Sequence, residues 1–197
     1  MRSGVDVFTV PGYTGSGPRH WQTLWEQHDR DYRRVEQDDW NDPRLDVWVG
    51  RLDRAITGSS KPVVLLAHSL GCLTVVHWVA RGLAAARVCG ALLVVPPDVE
   101  REDALPELRR FAPIPMIALP FFSIMVATDN DPYASLVRSR QFAHAWGIRI
   151  VVVPGGGHMA TADGYGPWPE GEKLAQDLMQ RAEGTSAADE PLYKPLR

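Results

Sequence analysis

A serine sits where residues 61–82, KPVVLLAHSLGCLTVVHWVARG, change from an apolar run into a helix, and this junction constrains the fold more than any other stretch. Residues 63–67 are continuously apolar, as a parallel strand buried on both faces requires. From Leu70 onward the pattern is helical. Between the two, Ala67, His68, Ser69, Leu70 and Gly71 fit the G-x-S-x-G nucleophile elbow, with Ala in place of the first Gly. Such an elbow holds its serine in a sharp strand-to-helix turn, projecting the hydroxyl from the sheet edge and turning the next amide toward a reacting carbonyl. Small residues two before and two after the serine suit it, because neighbouring backbone must pass close by. Serine is also an ordinary helix N-cap, the plain alternative for Ser69. The buried strand before it and the helix after it favour the elbow.

The rest of the chain alternates strands with helices. Strands are expected at 5–10, 33–36, 63–67, 88–95, 121–127 and 148–153. Helices are expected at 20–27, 44–56, from Leu70, at 133–146 and at 167–181. This alternation implies a parallel, doubly wound sheet. At 197 residues, one substantial core is expected: a single domain over 1–183 and a loosely held tail over 184–197. Apolar residues make up 45% and charged residues 23%, with net charge −3. That is ordinary for a soluble globular protein, and with no basic field no nucleic-acid partner is expected. No apolar stretch is long enough to span a bilayer and no signal-peptide pattern precedes the first strand, so a cytoplasmic location and no membrane partner are expected. Cys72 and Cys89 lie in apolar periodic segments, as reduced packing residues do.

Several loops invite functional readings. Gly12, Gly15 and Gly17 follow the first strand, but they lack G-x-G-x-x-G spacing and no Gly-Lys-Ser/Thr follows, which argues against a phosphate site. The turn after the strand beside the nucleophile strand supplies an oxyanion donor in enzymes of the elbow type, so the Tyr13 N–H is the expected partner of the Leu70 N–H. Glu36, Asp38, Asp39 and Asp42 could suggest a metal. Turn and N-cap chemistry before Pro43 explains them more simply, and no metal is expected. Residues 96–120 carry six of the sixteen prolines, so they cannot form one long helix and should lie over the site as a small cover. No separate cap domain fits in that length. Trp21, Trp40 and Trp168 fall near loop mouths and are candidates to line a substrate pocket, with core packing the ordinary alternative.

A serine hydroxyl needs a base within hydrogen-bond reach and an acid to fix that base's tautomer. Of six histidines, His20, His28, His77 and His144 fall in expected helices, and His68 is next to the nucleophile and points elsewhere. His158 remains, in a flexible Gly-Gly-Gly-His turn directly after the last strand, at the sheet edge where catalytic groups of open α/β sheets gather. The acid should follow a strand between Ser and His. Asp131 is favoured over Asp129, with Asp98 a third candidate. Turn and capping duty is the plain reading for each.

Taken together, the motifs resemble the small α/β-hydrolase family of bacterial serine hydrolases related to retinoblastoma-binding protein nine. The resemblance spans roughly residues 7–178 and rests on Pro-Gly-x-x-Gly-Ser-Gly-Pro-x-His-Trp-Gln at 11–22, Val-Glu-Gln-x-Asp-Trp at 35–40 and His-Ser-Leu-Gly-Cys at 68–72. Further matches are Pro-Pro-Asp-Val-Glu at 96–100, Asn-Asp-Pro-Tyr at 130–133, Gly-His at 157–158 and Gly-x-Trp-Pro-Glu-Gly at 166–171. It implies a triad of Ser69, Asp131 and His158 on a three-layer α/β-hydrolase fold, with a six-stranded, mainly parallel sheet in the order 2-1-3-4-5-6. The expected activity is cofactor-free hydrolysis of a small carboxylic ester, or of an amide or peptide bond, through an acyl-enzyme. A protein-binding module with little or no turnover is the alternative from another class. A haloperoxidase or lyase on the same serine is a third.

Overall fold

A computed structural model of the chain describes residues 4–29, 31–83 and 85–184. The expected tail therefore lies outside the described residues beyond Gly184. The strands are β1 (Asp6–Val10), β2 (Tyr32–Arg34), β3 (Val63–His68), β4 (Val88–Val94), β5 (Phe122–Thr128) and β6 (Arg149–Val153). They form one sheet in the order β2-β1-β3-β4-β5-β6, and every neighbouring pair is parallel. The helices are α1 (Trp21–His28), α2 (Leu45–Thr57), α3 (Leu70–Ala80), α4 (Leu136–Trp146) and α5 (Pro169–Ala182). This is the α/β-hydrolase architecture, with all strand C-termini at one edge.

Two-residue alternation along the strands divides the core into two layers. Val63, Leu65 and Ala67 of β3 face one side, where α2 contributes Trp48, Val49, Leu52 and Ile56 and α4 contributes Phe142 and Trp146. Val64 and Leu66 face the other, against Trp21 and Trp25 of α1 and Ala175 and Leu178 of α5. Helix α3 is buried over residues 70–78, as a central helix hydrophobic on every face must be. Local chemistry sets the ends. Ser135 Oγ accepts the Arg138 amide at the start of α4, Gly147 closes α4 with φ 66°, and Pro169 opens α5.

The region expected to cover the site divides in two. Leu108, Phe111 and Ile114 are buried, with Phe111 fully enclosed against Trp48 and His77. The carbonyl of Phe111 accepts His77 Nε2–H at 2.7 Å. Pro115 and Leu119 are then tied to Trp146 at the end of α4. Residues 111–120 are thus tied into the frame, and the stretch up to Leu108 flanks the site. The expected helix at 133–146 begins at Leu136, because the Tyr133 amide is engaged by Asp131 Oδ1 at 2.9 Å and Ser135 supplies the cap. Among the described residues no helix is long and apolar enough to cross a membrane. Cys72 and Cys89 are free, and burial pushes both thiols up.

Candidate active site

The junction between β3 and α3 is a strained turn. Ser69 has φ 54° and ψ −125°, a left-handed φ that ordinarily costs a non-glycine residue about 1–3 kcal/mol. Surrounding contacts hold it there. The Ser69 amide donates to the Val94 carbonyl at 2.9 Å, tying the turn to β4. A Cβ on Gly71 would run into the Val10 carbonyl oxygen, and one on Gly12 would stand 2.7 Å from Ser69 Cβ. The loop after β1 is therefore pressed directly onto the turn, which explains the small residues. The Ser69 hydroxyl makes no N-cap hydrogen bond.

Instead, Ser69 Oγ lies 2.8 Å from His158 Nε2. On the other side of the ring, His158 Nδ1 lies 3.0 Å from Asp131 Oδ1 and 3.2 Å from Oδ2. A carboxylate on Nδ1 keeps the proton there and leaves Nε2 free to accept from the serine. The Asp131 side chain is only 3% exposed, so water does not compete for it. The Tyr133 ring stands edge-on against the imidazole at 4.5 Å. The other candidate acids are employed elsewhere. Asp129 Oδ1 accepts the Gly155 amide at 2.8 Å, and Asp98 pairs with Arg138 at 3.4 Å.

The glycine turn before His158 differs from the flexible loop its composition suggests. Asn130 Oδ1 accepts the Gly157 amide at 2.8 Å, and Thr128 Oγ1 donates to the Gly157 carbonyl at 2.6 Å. Asp163 Oδ2 accepts the His158 amide at 3.2 Å. His68 Nε2 donates to the His158 carbonyl at 3.0 Å. His68 does point away from the hydroxyl, but into the loop that carries the base. The sequence carries no signal for these roles of Asn130, Asp163 and His68, because each bond ends on a backbone atom. Beneath them, His20 caps α1 by accepting the Gln22 amide through Nδ1 at 3.2 Å. Burial, aided by the charges of Arg34 and His158, lowers the His20 pKa to about 4. Burial also holds His68 well below the usual imidazole range.

Leu70 opens α3, so its amide precedes the intrahelical ladder and has no acceptor within the helix. A Cβ on Gly12 would stand 3.1 Å from the Leu70 nitrogen, so the loop that carries Tyr13 runs against the start of α3 at Gly12. The Thr14 and Gly15 amides are committed to the carbonyls of Trp40 and Gly12, at 2.9 and 3.0 Å. Two of the three tryptophans considered for substrate binding do not line the site. Trp21 and Trp168 are 0% and 4% exposed and pack together at 5.4 Å in the α1–α5 layer. Trp40 is half-buried and packs on Trp48 and Gly15, bracing the loop after β1. A cleft of about 180 Å³ opens on the other flank, between Pro97, Leu105, Leu108 and Tyr133. The acidic stretch is turn chemistry: Asp39 Oδ1 accepts the amides of Asn41 and Asp42 at 2.7 and 3.2 Å, while α2 starts after Arg44 with no side-chain cap. Among the described residues no group of three or more His, Cys, Asp or Glu side chains could hold a metal ion.

A family model described as serine hydrolase matches residues 7–177. In structure the chain is similar to a YdeN-like hydrolase from Pectobacterium atrosepticum, with 30% identity and TM-score 0.80 over 90% of this chain and 92% of that one. It is also similar to the ydeN gene product of B. subtilis, with 21% identity and TM-score 0.72 over 89% and 98% of the two chains. Esterase 2 of Thermogutta terrifontis shares the fold at 14% identity and TM-score 0.64, over 95% and 86%. No curated protein sequence matches the chain.

Proposed function

The chain belongs to the serine hydrolase family, and on that premise we propose that it cleaves a carboxylic ester through an acyl-enzyme formed on Ser69. The observation that carries this reading is the hydrogen-bonded line from Ser69 Oγ through the His158 ring to the buried Asp131. In the first half-reaction Ser69 Oγ attacks the ester carbonyl carbon while His158 Nε2 takes the hydroxyl proton. Asp131 stabilises the imidazolium and keeps the ring's orientation. Negative charge gathers on the former carbonyl oxygen, where the Leu70 and Tyr13 amides serve as donors. One such donor is worth roughly 10²–10³ in turnover. Collapse of the tetrahedral intermediate breaks the bond to the alcohol, which leaves with the proton from Nε2. Water then repeats the sequence on the acyl-enzyme, releasing the acid and restoring Ser69. An ester is favoured over an amide because an alcohol is the better leaving group, and the T. terrifontis fold neighbour is itself named an esterase.

A fluorophosphonate probe tests the assignment. Wild type should be labelled at Ser69, and Ser69→Ala should lose both labelling and hydrolysis of p-nitrophenyl esters while folding normally. Asp131→Asn should lower turnover roughly 10⁴-fold at neutral pH, the cost of the equivalent change in a serine protease. Undiminished hydrolysis by Ser69→Ala would end the reading.

A further inference from the structure

Three glycines precede His158, so on that side the backbone is held by hydrogen bonds with Asn130, Thr128 and Asp163 and not by side chains of its own. The peptide after His158 is gripped from both ends. Its carbonyl oxygen accepts the His68 Nε2 hydrogen at 3.0 Å. At its other end Met159 holds φ 50° with its side chain fully buried. A left-handed φ in such a residue costs roughly 1–2 kcal/mol, and it persists only where the surroundings impose it.

His68 is also the last residue of β3 and is bonded directly to Ser69. One residue therefore references both partners of the 2.8 Å Ser69–His158 contact, one through the chain and the other through its ring. The ring itself has little freedom. His68 is 6% exposed, the His20 ring meets it edge-on at 4.7 Å, and the Trp21 ring flanks it at 6.0 Å. Donation from Nε2 fixes the tautomer, and burial keeps the imidazole neutral.

We infer that His68 is a positioning residue that sets the distance between Ser69 and His158 by anchoring the His158 carbonyl. This rests on the reading of Ser69 as nucleophile and His158 as base. The inference is about a single N–H. A side chain that restores a donor at the position of Nε2 should restore the alignment, and one that only fills the space should not. Misplacing a reacting group by about 1 Å can cost 10²-fold, so the effect belongs in turnover rather than in substrate affinity.

The experiment compares His68→Leu with His68→Gln, whose terminal amide reaches to about where Nε2 lies. His68→Leu should lose at least tenfold in kcat on a p-nitrophenyl ester with KM within about twofold of wild type. It should also lose the far-downfield proton resonance of the His158–Asp131 hydrogen bond. His68→Gln should recover most of the turnover and the resonance. Should His68→Leu not fold, His68→Asn takes its place: its amide is too short to reach the carbonyl, and the same losses are expected. Wild-type kcat and resonance in the folded Leu or Asn variant would overturn the inference, as would equal losses in the Gln variant, which would point to ring packing. Failure of the underlying reading has a separate signature, since hydrolysis would then survive Ser69→Ala or His158→Ala.

Discussion

Two glycine-rich loops meet at the catalytic edge of the sheet, and they are made rigid in opposite ways. Where it meets the serine turn, the loop after β1 is held by main chain against main chain: Gly12 lies on the Ser69 turn, Gly71 lies under the Val10 carbonyl, and neither approach leaves room for a Cβ. The loop after β6 is held by side chains reaching to its backbone, from Asp129, Asn130, Asp163, Thr128 and His68. The first arrangement suits a loop offering backbone amides, since any bulk would bury them. The second suits a loop presenting a side chain, since the backbone beneath it must be fixed without crowding the ring. Glycine content describes neither loop's freedom; what each glycine touches does.

The comparison can be broken at four points of decreasing expected effect. Gly71→Ala forces a Cβ into the Val10 carbonyl. Backbone on both sides leaves nowhere to relax, so a loss of about 3 kcal/mol or more is expected, measured as a fall in urea midpoint with loss of fluorophosphonate labelling. Next comes acid. His20 starts the helix that leaves the first loop, and its pKa is lowered from 6.5 to about 4. The unfolded chain therefore takes up a proton more readily, so the stabilisation is complete above about pH 6.5 and is lost as pH falls toward 4. His20→Asn keeps a capping side chain without the titration and should lose about 2–3 kcal/mol less than wild type between pH 7 and pH 4.5. An equal loss in both would remove His20 from the account.

Third is Gly157→Ala in the second loop. A Cβ there meets the Asp163 carboxylate at a φ of 57°. The clash is with a side chain, so the fold should survive at a cost of about 1–2 kcal/mol while kcat falls about tenfold or more as the His158 amide loses its acceptor. Wild-type kcat would mean that the clamp does not position the base. The smallest effect is expected from Asp129→Asn. Its carboxamide oxygen can still accept the Gly155 amide, so turnover should stay within a small factor and stability within about 1 kcal/mol, in contrast to Asp131→Asn.

Much of this could be read from residue order. Continuous apolar runs separated by helical periods give six parallel strands, and the sheet order followed from the family resemblance. Ser69, Asp131 and His158 each follow a strand, and the structure brings them into one line. What could not be read depends on which layer a side chain enters. Trp21 and Trp25 are four residues apart on one face of α1, a spacing that marks core, yet proximity to a loop made Trp21 a pocket candidate. Leu108, Phe111 and Ile114 recur every three residues, the period of a packed turn rather than of a cover. The hydrogen bonds from Asn130, Asp163 and His68 end on backbone atoms, and no residue-type pattern records those.

The stretch between β4 and the buried Phe111 has a consequence for how enzymes of this size diversify. It is fastened at one end where the Asp98 amide donates to the Tyr133 carbonyl at 3.0 Å, and at the other by Phe111 under α3. Between these fastenings, Arg101 pairs with Asp103, and Arg109 donates to the carbonyls of Ala104 and Glu102, so the segment is bound mainly to itself. Longer ties reach the rest from Arg101 Nη1 to the Pro132 carbonyl at 2.6 Å, from Glu100 to Arg138 and from Arg110 to Asp42. Extra chain entering at Ala104 would grow outward from two fixed posts while the sheet, the serine turn and the histidine loop stayed in register. The fold thus carries an insertion port beside its reactive centre, through which a lineage can acquire a lid, and a new substrate range, without rebuilding the machinery underneath.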